Sequence, residues 1–191
     1  ATKTLALSFY PMKDSLSERI AVVPPLLRKE GLEMTPSKGD FILGYMLNQG
    51  YEKEVRSWHE ENPEVPLHFF WDKRDAPEEL KVDDTLTFHK INDKKFLDFM
   101  KDCKGYITTA GFESVCEAIY LGKPIMMIPA HIEQEVNAAD AESIGAGIVG
   151  SSFNLSPLLD HLKEEHPVNE AFRSWQDSAE EIFLKHLTTF V

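Results

Sequence analysis

Hydrophobic positions along this chain gather into short apolar runs separated by longer amphipathic stretches. FILGYML (41–47), PLHFFW (66–71) and TLTFHKI (85–91) are runs of strand length. Between the first two, residues 50–61 put Val55 and Trp58 on one side of a predicted helix, and FLDFMKDC (96–103) predicts a shorter one. The intervening DKRDAPEELKVDD (72–84) is charged and reads as a loop. GYITT (105–109) is a further strand, and Ala110-Gly111 turns it into a helix from Phe112 to about Leu121. Gly122-Lys123-Pro124 ends that helix, because Gly suits the left-handed cap and Pro cannot continue the turn. IMMIP (125–129) is too apolar to face water on either side and predicts a fully buried strand. Beyond it come a second helix, a short strand at 146–149, a helix near 155–165 and one long amphipathic helix over 168–188.

Repeated strand–helix alternation predicts an α/β, Rossmann-like parallel sheet with helices on both faces. Ligands in such sheets bind beyond the carboxyl ends of the strands, near the point where strand order reverses. That directs attention to the loops after residues 46, 71, 89, 109 and 129. A strand, a Gly turn and a helix start at 105–112 also present unpaired N–H groups suited to an anion.

A length of 191 residues suits one α/β domain. The first 39 residues show no strong periodic core signal and hold three prolines by residue 25, so 1–39 reads as an arm or linker and 40–191 as the domain. Cys103 and Cys116 make neither a disulfide framework nor a metal pair. No secretory leader is evident, so reduced thiols in a cytoplasmic setting are expected. No run approaches the roughly 20 apolar residues of a membrane span, which leaves only peripheral membrane contact open. A net charge of −12 argues against nucleic acid as a partner. It also means that a bound anion must be held by local dipoles, with Lys90 or Lys123 as candidate supplements. Histidines 59, 131, 161, 166 and 186 have no ligand-like spacing.

Polar residues around the Gly turn are more specific. Ser114 and Glu117 share one face of the new helix, one turn apart. The order Gly111-x-x-Ser114-x-x-Glu117-Ala, Gly122-x-Pro124, a strand ending at Pro129, then Glu133-Gln134-x-x-Asn137-Ala resembles the donor half of GT-B glycosyltransferases. The nearest likeness is to the bacterial family that adds N-acetylglucosamine to lipid-linked cell-wall precursors and to the glucuronosyl/glucosyltransferases. It is tight over 105–148 and loose elsewhere. Pro25-Leu26-Leu27-Arg28 is similar to the segment that crosses into the donor domain in these families.

The resemblance implies a donor-binding domain that takes a nucleotide sugar, a UDP-sugar above all, with no metal and no further cofactor. The acceptor, a lipid-linked or small-molecule glycan, would be bound by an absent N-terminal domain, and the general base, expected outside this chain, would lie in that domain or in the cleft between the two. Gly111, Phe112, Ser114, Asn48 and Gly50 would surround the diphosphate. Glu117 would take the ribose hydroxyls, since a carboxylate offers two acceptors to a vicinal diol. Lys90 and Ile91 would lie at the base, and Glu133 and Gln134 at the transferred sugar. Asn137 reads as mainly structural. Two departures stand out: residues 44–50 (GYMLNQG) replace a Gly-Gly-Ser turn, and Thr109 stands where the glucuronosyltransferase pattern has His. Three other readings stay open: a GT-B-fold nucleotide-sugar epimerase, a one-domain subunit that pairs with a separate acceptor chain, and a nucleotide-binding module.

Overall fold

In the computed structural model of the chain, residues 4–12, 19–46 and 49–188 are described. Two short strands, β1 (Thr4–Leu7) and β2 (Ile20–Val23), pair in parallel and lead to one helical turn, α1 (Lys29–Leu32). The segment read as an arm or linker thus contains two strands and a helical turn. Its apolar content is small but well placed: Phe9, Ala21 and Val23 are buried.

The main sheet comprises β3 (Ile42–Met46), β4 (Leu67–Trp71), β5 (Glu79–Lys81), β6 (Leu86–Lys90), β7 (Gly105–Thr108), β8 (Ile125–Met127) and β9 (Gly147–Val149). Its order is β5-β6-β4-β3-β7-β8-β9. All pairings are parallel except the antiparallel β5–β6 edge. The segment 72–84, expected to be loop throughout, thus donates an edge strand. Its polar, exposed residues hid it, because an edge strand needs only one hydrogen-bonded neighbour and little burial. After β6 the chain returns to the other side of β3 to build β7, so the strand order reverses between β3 and β7.

Helices cover both faces, as strand residues of alternating direction require. Leu43, Phe70, Tyr106 and Met127 point to one face, where they meet α3 (Asp93–Asp102), α4 (Phe112–Tyr120), α5 (Ile132–Ser143) and α7 (Glu170–Asp177) through Phe96, Val115, Ala138 and Phe172. Ile42, Phe69, Ile107 and Met126 point to the other, against α2 (Glu52–Glu61) and α6 (Ser156–His161) through Val55, Trp58 and Leu158. Each such side chain, fully buried, contributes about 1.5–3 kcal/mol. Close packing reaches the backbone at Gly44, where a Cβ would fall 2.1 Å from the Phe69 ring.

The predicted long helix 168–188 is two helices, α7 and α8 (Ala179–Thr188), separated by Ser178. Ser178 donates its hydroxyl proton to Trp175 O at 2.6 Å, a local bond of the kind that interrupts helices. Trp175 in turn donates its indole N–H to Ser8 O at 3.0 Å, and α8 packs on β2, so the last helices fasten the opening strands. Both cysteines are buried, and burial pushes the Cys103 thiol up to about 12. Among the described residues, no helix is long and apolar enough to cross a membrane.

Candidate functional site

Where strand order reverses, the carboxyl ends of β3 and β7 open into a cleft of about 780 Å³. Its wall combines Tyr45 at the end of β3, Ile91 after β6, Gly111 through Ser114 at the start of α4, and Glu133 and Asn137 on α5. Leu5, Leu7 and Arg28 close it from the N-terminal segment.

The turn from β7 into α4 forms the floor. Ala110 holds φ at +63°, the one non-glycine positive φ among the described residues. For an L-residue that conformation costs about 1–2 kcal/mol. Neighbours hold it in place: Ala110 is fully buried, and Asn137 Nδ2 donates to its carbonyl at 3.2 Å. Asn137 therefore fastens α5 to the turn. Gly111 follows with ordinary angles (φ −64°, ψ 129°) as the residue that caps α4, and among the described residues no side-chain cap accepts from the first N–H groups there. By contrast, Asn92 and Asn169 cap α3 and α7 with side-chain oxygens at 2.9 Å. The α4 start thus offers a positive dipole end and free donors to the cleft. Ser114 Oγ donates to Gly111 O at 3.2 Å, and rotation of the hydroxyl would free its proton.

Glu117 lies one turn further along α4 and is 4% exposed. Arg28 grips it with a fork: Nε donates to Oε1 at 2.6 Å and Nη2 to Oε2 at 2.7 Å, while Nη1 donates to Asp93 O at 3.3 Å. The bonds to Glu117 raise the affinity of the Arg28 guanidinium for its proton. Among the described residues Arg28 is the sole cation lining the cleft, against Asp93, Glu113, Glu117 and Glu133. Burial, with Asp93 and Asp72 nearby, pushes the Tyr45 hydroxyl above its usual range.

The cleft therefore brings together Ile91, Gly111, Phe112, Ser114, Glu117 and Glu133 from the expected set. Gly50 lies in a 3-10 turn (Gln49–Tyr51) after β3, outside the lining residues, and Asn48 falls outside the described residues. Lys90 points away, its Nζ donating to Arg74 O at 3.1 Å. Ile91 N–H is occupied by Trp71 O at 3.3 Å. Gln134 is buried beside the cleft, and its Oε1 accepts from Ala130 N–H at 2.9 Å. Lys123, expected as a supplementary cation, is corrected: it precedes β8 at the amino end of the sheet. There its Nζ donates to the carbonyls of Ser37 and Cys103, a buried ammonium consumed by backbone acceptors. Sequence reasoning missed Arg28, Asp93 and Tyr45 as cleft residues. Arg28 was visible only as part of Pro-x-x-Arg, with no sign of a partner 89 residues away.

A family model described as glycosyl transferase family 1 matches residues 1–165, most of the chain and all of the cleft. The chain belongs to glycosyl transferase family 1. A sequence comparison with curated proteins gave no match. Among solved structures, this family member is similar to the glycotransferase of kitacinnamycin, with a TM-score of 0.66 and 16% identity over 94% of this chain and 51% of that one. It is also similar to the spinosyn rhamnosyltransferase SpnG complexed with thymidine diphosphate (TM-score 0.56, 14% identity, 87% of this chain and 50% of that one). LpCGTa in complex with UDP gives a TM-score of 0.53 and 15% identity over 84% of this chain and 43% of that one. At such identities the likeness establishes the fold, a Rossmann-like α/β sheet of the kind found in GT-B glycosyltransferases. The family 1 chain spans about half the length of these structures.

Proposed function

We propose that this chain is the donor-binding part of a glycosyltransferase and holds a nucleotide sugar, a UDP-sugar in the first instance, in the cleft between β3 and α4. The observation that carries the reading is the uncapped start of α4 at the strand-order reversal, with Gly111 and Ser114 at its mouth. A diphosphate placed there meets N–H donors and the positive end of the helix dipole, which suits an anion in a chain of net charge −12. Two similar structures hold thymidine diphosphate and UDP.

Ile91 would then lie near the base, Glu117 at the ribose hydroxyls and Glu133 at the transferred sugar. Gln134 would contribute through its amide NH₂, since its oxygen is taken. In the transfer itself, the bond between the anomeric carbon and the diphosphate oxygen breaks, and an acceptor hydroxyl oxygen bonds to that carbon. The α4 donors stabilise the charge that grows on the leaving diphosphate. An acceptor-binding domain would bring the acceptor, and the base that takes its proton would lie there or in the cleft between the two parts.

The test uses a substitution that suits the fold and spoils the site. A Cβ at Gly111 meets nothing nearer than Ser114 Oγ at 3.7 Å, and the backbone angles there suit any residue. Gly111→Asp should cap α4 and keep or raise stability. Its carboxylate would occupy the anion position and repel a diphosphate. Calorimetry should show UDP binding to the wild-type chain and none to Gly111→Asp. Equal binding by the two chains would overturn the reading.

A further inference from the structure

We infer that Arg28 sets the ribose selectivity of the cleft by occupying the same carboxylate oxygens of Glu117 that a ribose diol needs. The inference rests on the nucleotide-sugar reading above. Both oxygens of Glu117 are engaged in one planar fork, at 2.6 and 2.7 Å. Two parallel N–H bonds to one carboxylate use the lone pairs that face the same way, and a vicinal diol binds two hydroxyls through that same pair. The two cannot be accommodated at full strength together. Glu117 is 4% exposed and α4 fixes its backbone, so it has little freedom to present another edge. Arg28 is the member free to yield. Its side chain is 36% exposed, it stands on the short extended segment before α1, and its remaining bond is a long one to Asp93 O.

The ribose must therefore displace the fork, and part of what the diol gains at Glu117 is spent in breaking the ion pair. Wild-type chain should discriminate only weakly between UDP and 2′-deoxyuridine 5′-diphosphate. Removing Arg28 leaves a nearly buried carboxylate with no donor, and the diol becomes its natural partner.

The measurement is the ratio of affinities for UDP and 2′-deoxyuridine 5′-diphosphate. Any contact between Arg28 and the diphosphate is common to both ligands and cancels. Arg28→Met, close in length but without donors, should widen the preference for the ribonucleotide about tenfold, the worth of one charge-assisted hydrogen bond. Arg28→Lys keeps the charge but cannot fork, so one oxygen is released and the ratio should rise by a smaller factor. The lysine variant carries the test if the methionine variant fails to fold. A ratio unchanged or reduced in the folded variants overturns the inference and leaves the nucleotide-sugar reading standing, as does a folded Arg28→Met that binds neither ligand. Failure of the wild-type chain to bind either nucleotide removes the underlying reading as well.

Discussion

Phe9 and Phe112 pack ring to ring, with centroids 4.6 Å apart, and so join the opening segment to the first residue of α4. Phe9 is 1% exposed, and Phe112 lines the cleft. The segment that the sequence presents as an arm is thus part of the support beneath the candidate anion site.

Phe9→Ala should therefore act twice. The cavity it leaves costs about 3–5 kcal/mol, typical of Phe truncation in a core. The α4 start also loses a side support, so UDP affinity should fall in the variant under conditions where it remains folded. Denaturant unfolding followed by calorimetry at low temperature separates the two. A small stability change with normal binding would mean that the opening segment is peripheral.

Gly44→Ala should be strongly destabilising. The added Cβ would sit 2.1–2.6 Å from three carbons of the fully buried Phe69 ring on the neighbouring strand. Overpacking of this kind costs about 1–3 kcal/mol. Phe69→Leu should recover part of that loss, so the double variant should unfold less readily than the summed single effects predict. Strict additivity in urea titrations would show that the two positions do not meet.

Stability should also fall in mild acid. His89 is 2% exposed and stacks on Phe70, and its Nε2 lies 2.9 Å from Nδ1 of His68. Burial, then Lys95 and His68, lowers its pKa from 6.5 to about 4, and burial lowers His68 as well. The folded state thus resists protonation that the unfolded state accepts. Stability from this source is complete above about pH 7 and is lost as pH falls from about 6.5 towards 4. The His89 share is at most on the order of 3 kcal/mol. His89→Gln should flatten the slope of stability against pH in that window. An unchanged slope would place the acid sensitivity elsewhere.

Glu133 and Gln134, adjacent in sequence, should separate in experiment. Glu133 is exposed on the cleft wall, whereas Gln134 fastens the Ala130 N–H. Glu133→Ala should weaken a UDP-sugar and leave UDP nearly unchanged, with little change in thermal stability. Gln134→Ala should cost about 1 kcal/mol of stability through the lost bond, besides weakening the UDP-sugar by the loss of its amide NH₂. The reverse pattern would exchange their roles.

Much of this architecture was legible because a buried parallel strand must be apolar on both faces, as IMMIP is, and because Gly122 and Pro124 punctuate the chain where α4 ends. The Gly111–Glu117 spacing likewise placed the cleft floor, since helix geometry alone puts Ser114 and Glu117 on one side. What stayed hidden depends on partners remote in sequence. β5 is polar because only β6 supports it, and β1 and β2 are too short for any periodicity to register. The Arg28–Glu117 pair joins residues whose proximity follows from the whole fold. Lys123 misled because its charge suggested a ligand, while its buried place among carbonyls is set by the tertiary structure.

Cys103 and Cys116 are both shut inside the protein, and the burial that hides them also holds their thiols protonated. Maleimide reagents should therefore pass over the native chain. A single cysteine placed on the exposed Ile132 or Val136, at the outer face of α5 beside the cleft, would become the one labelling point. A fluorophore there would report ligand entry directly, with no need to strip the natural cysteines from the core first.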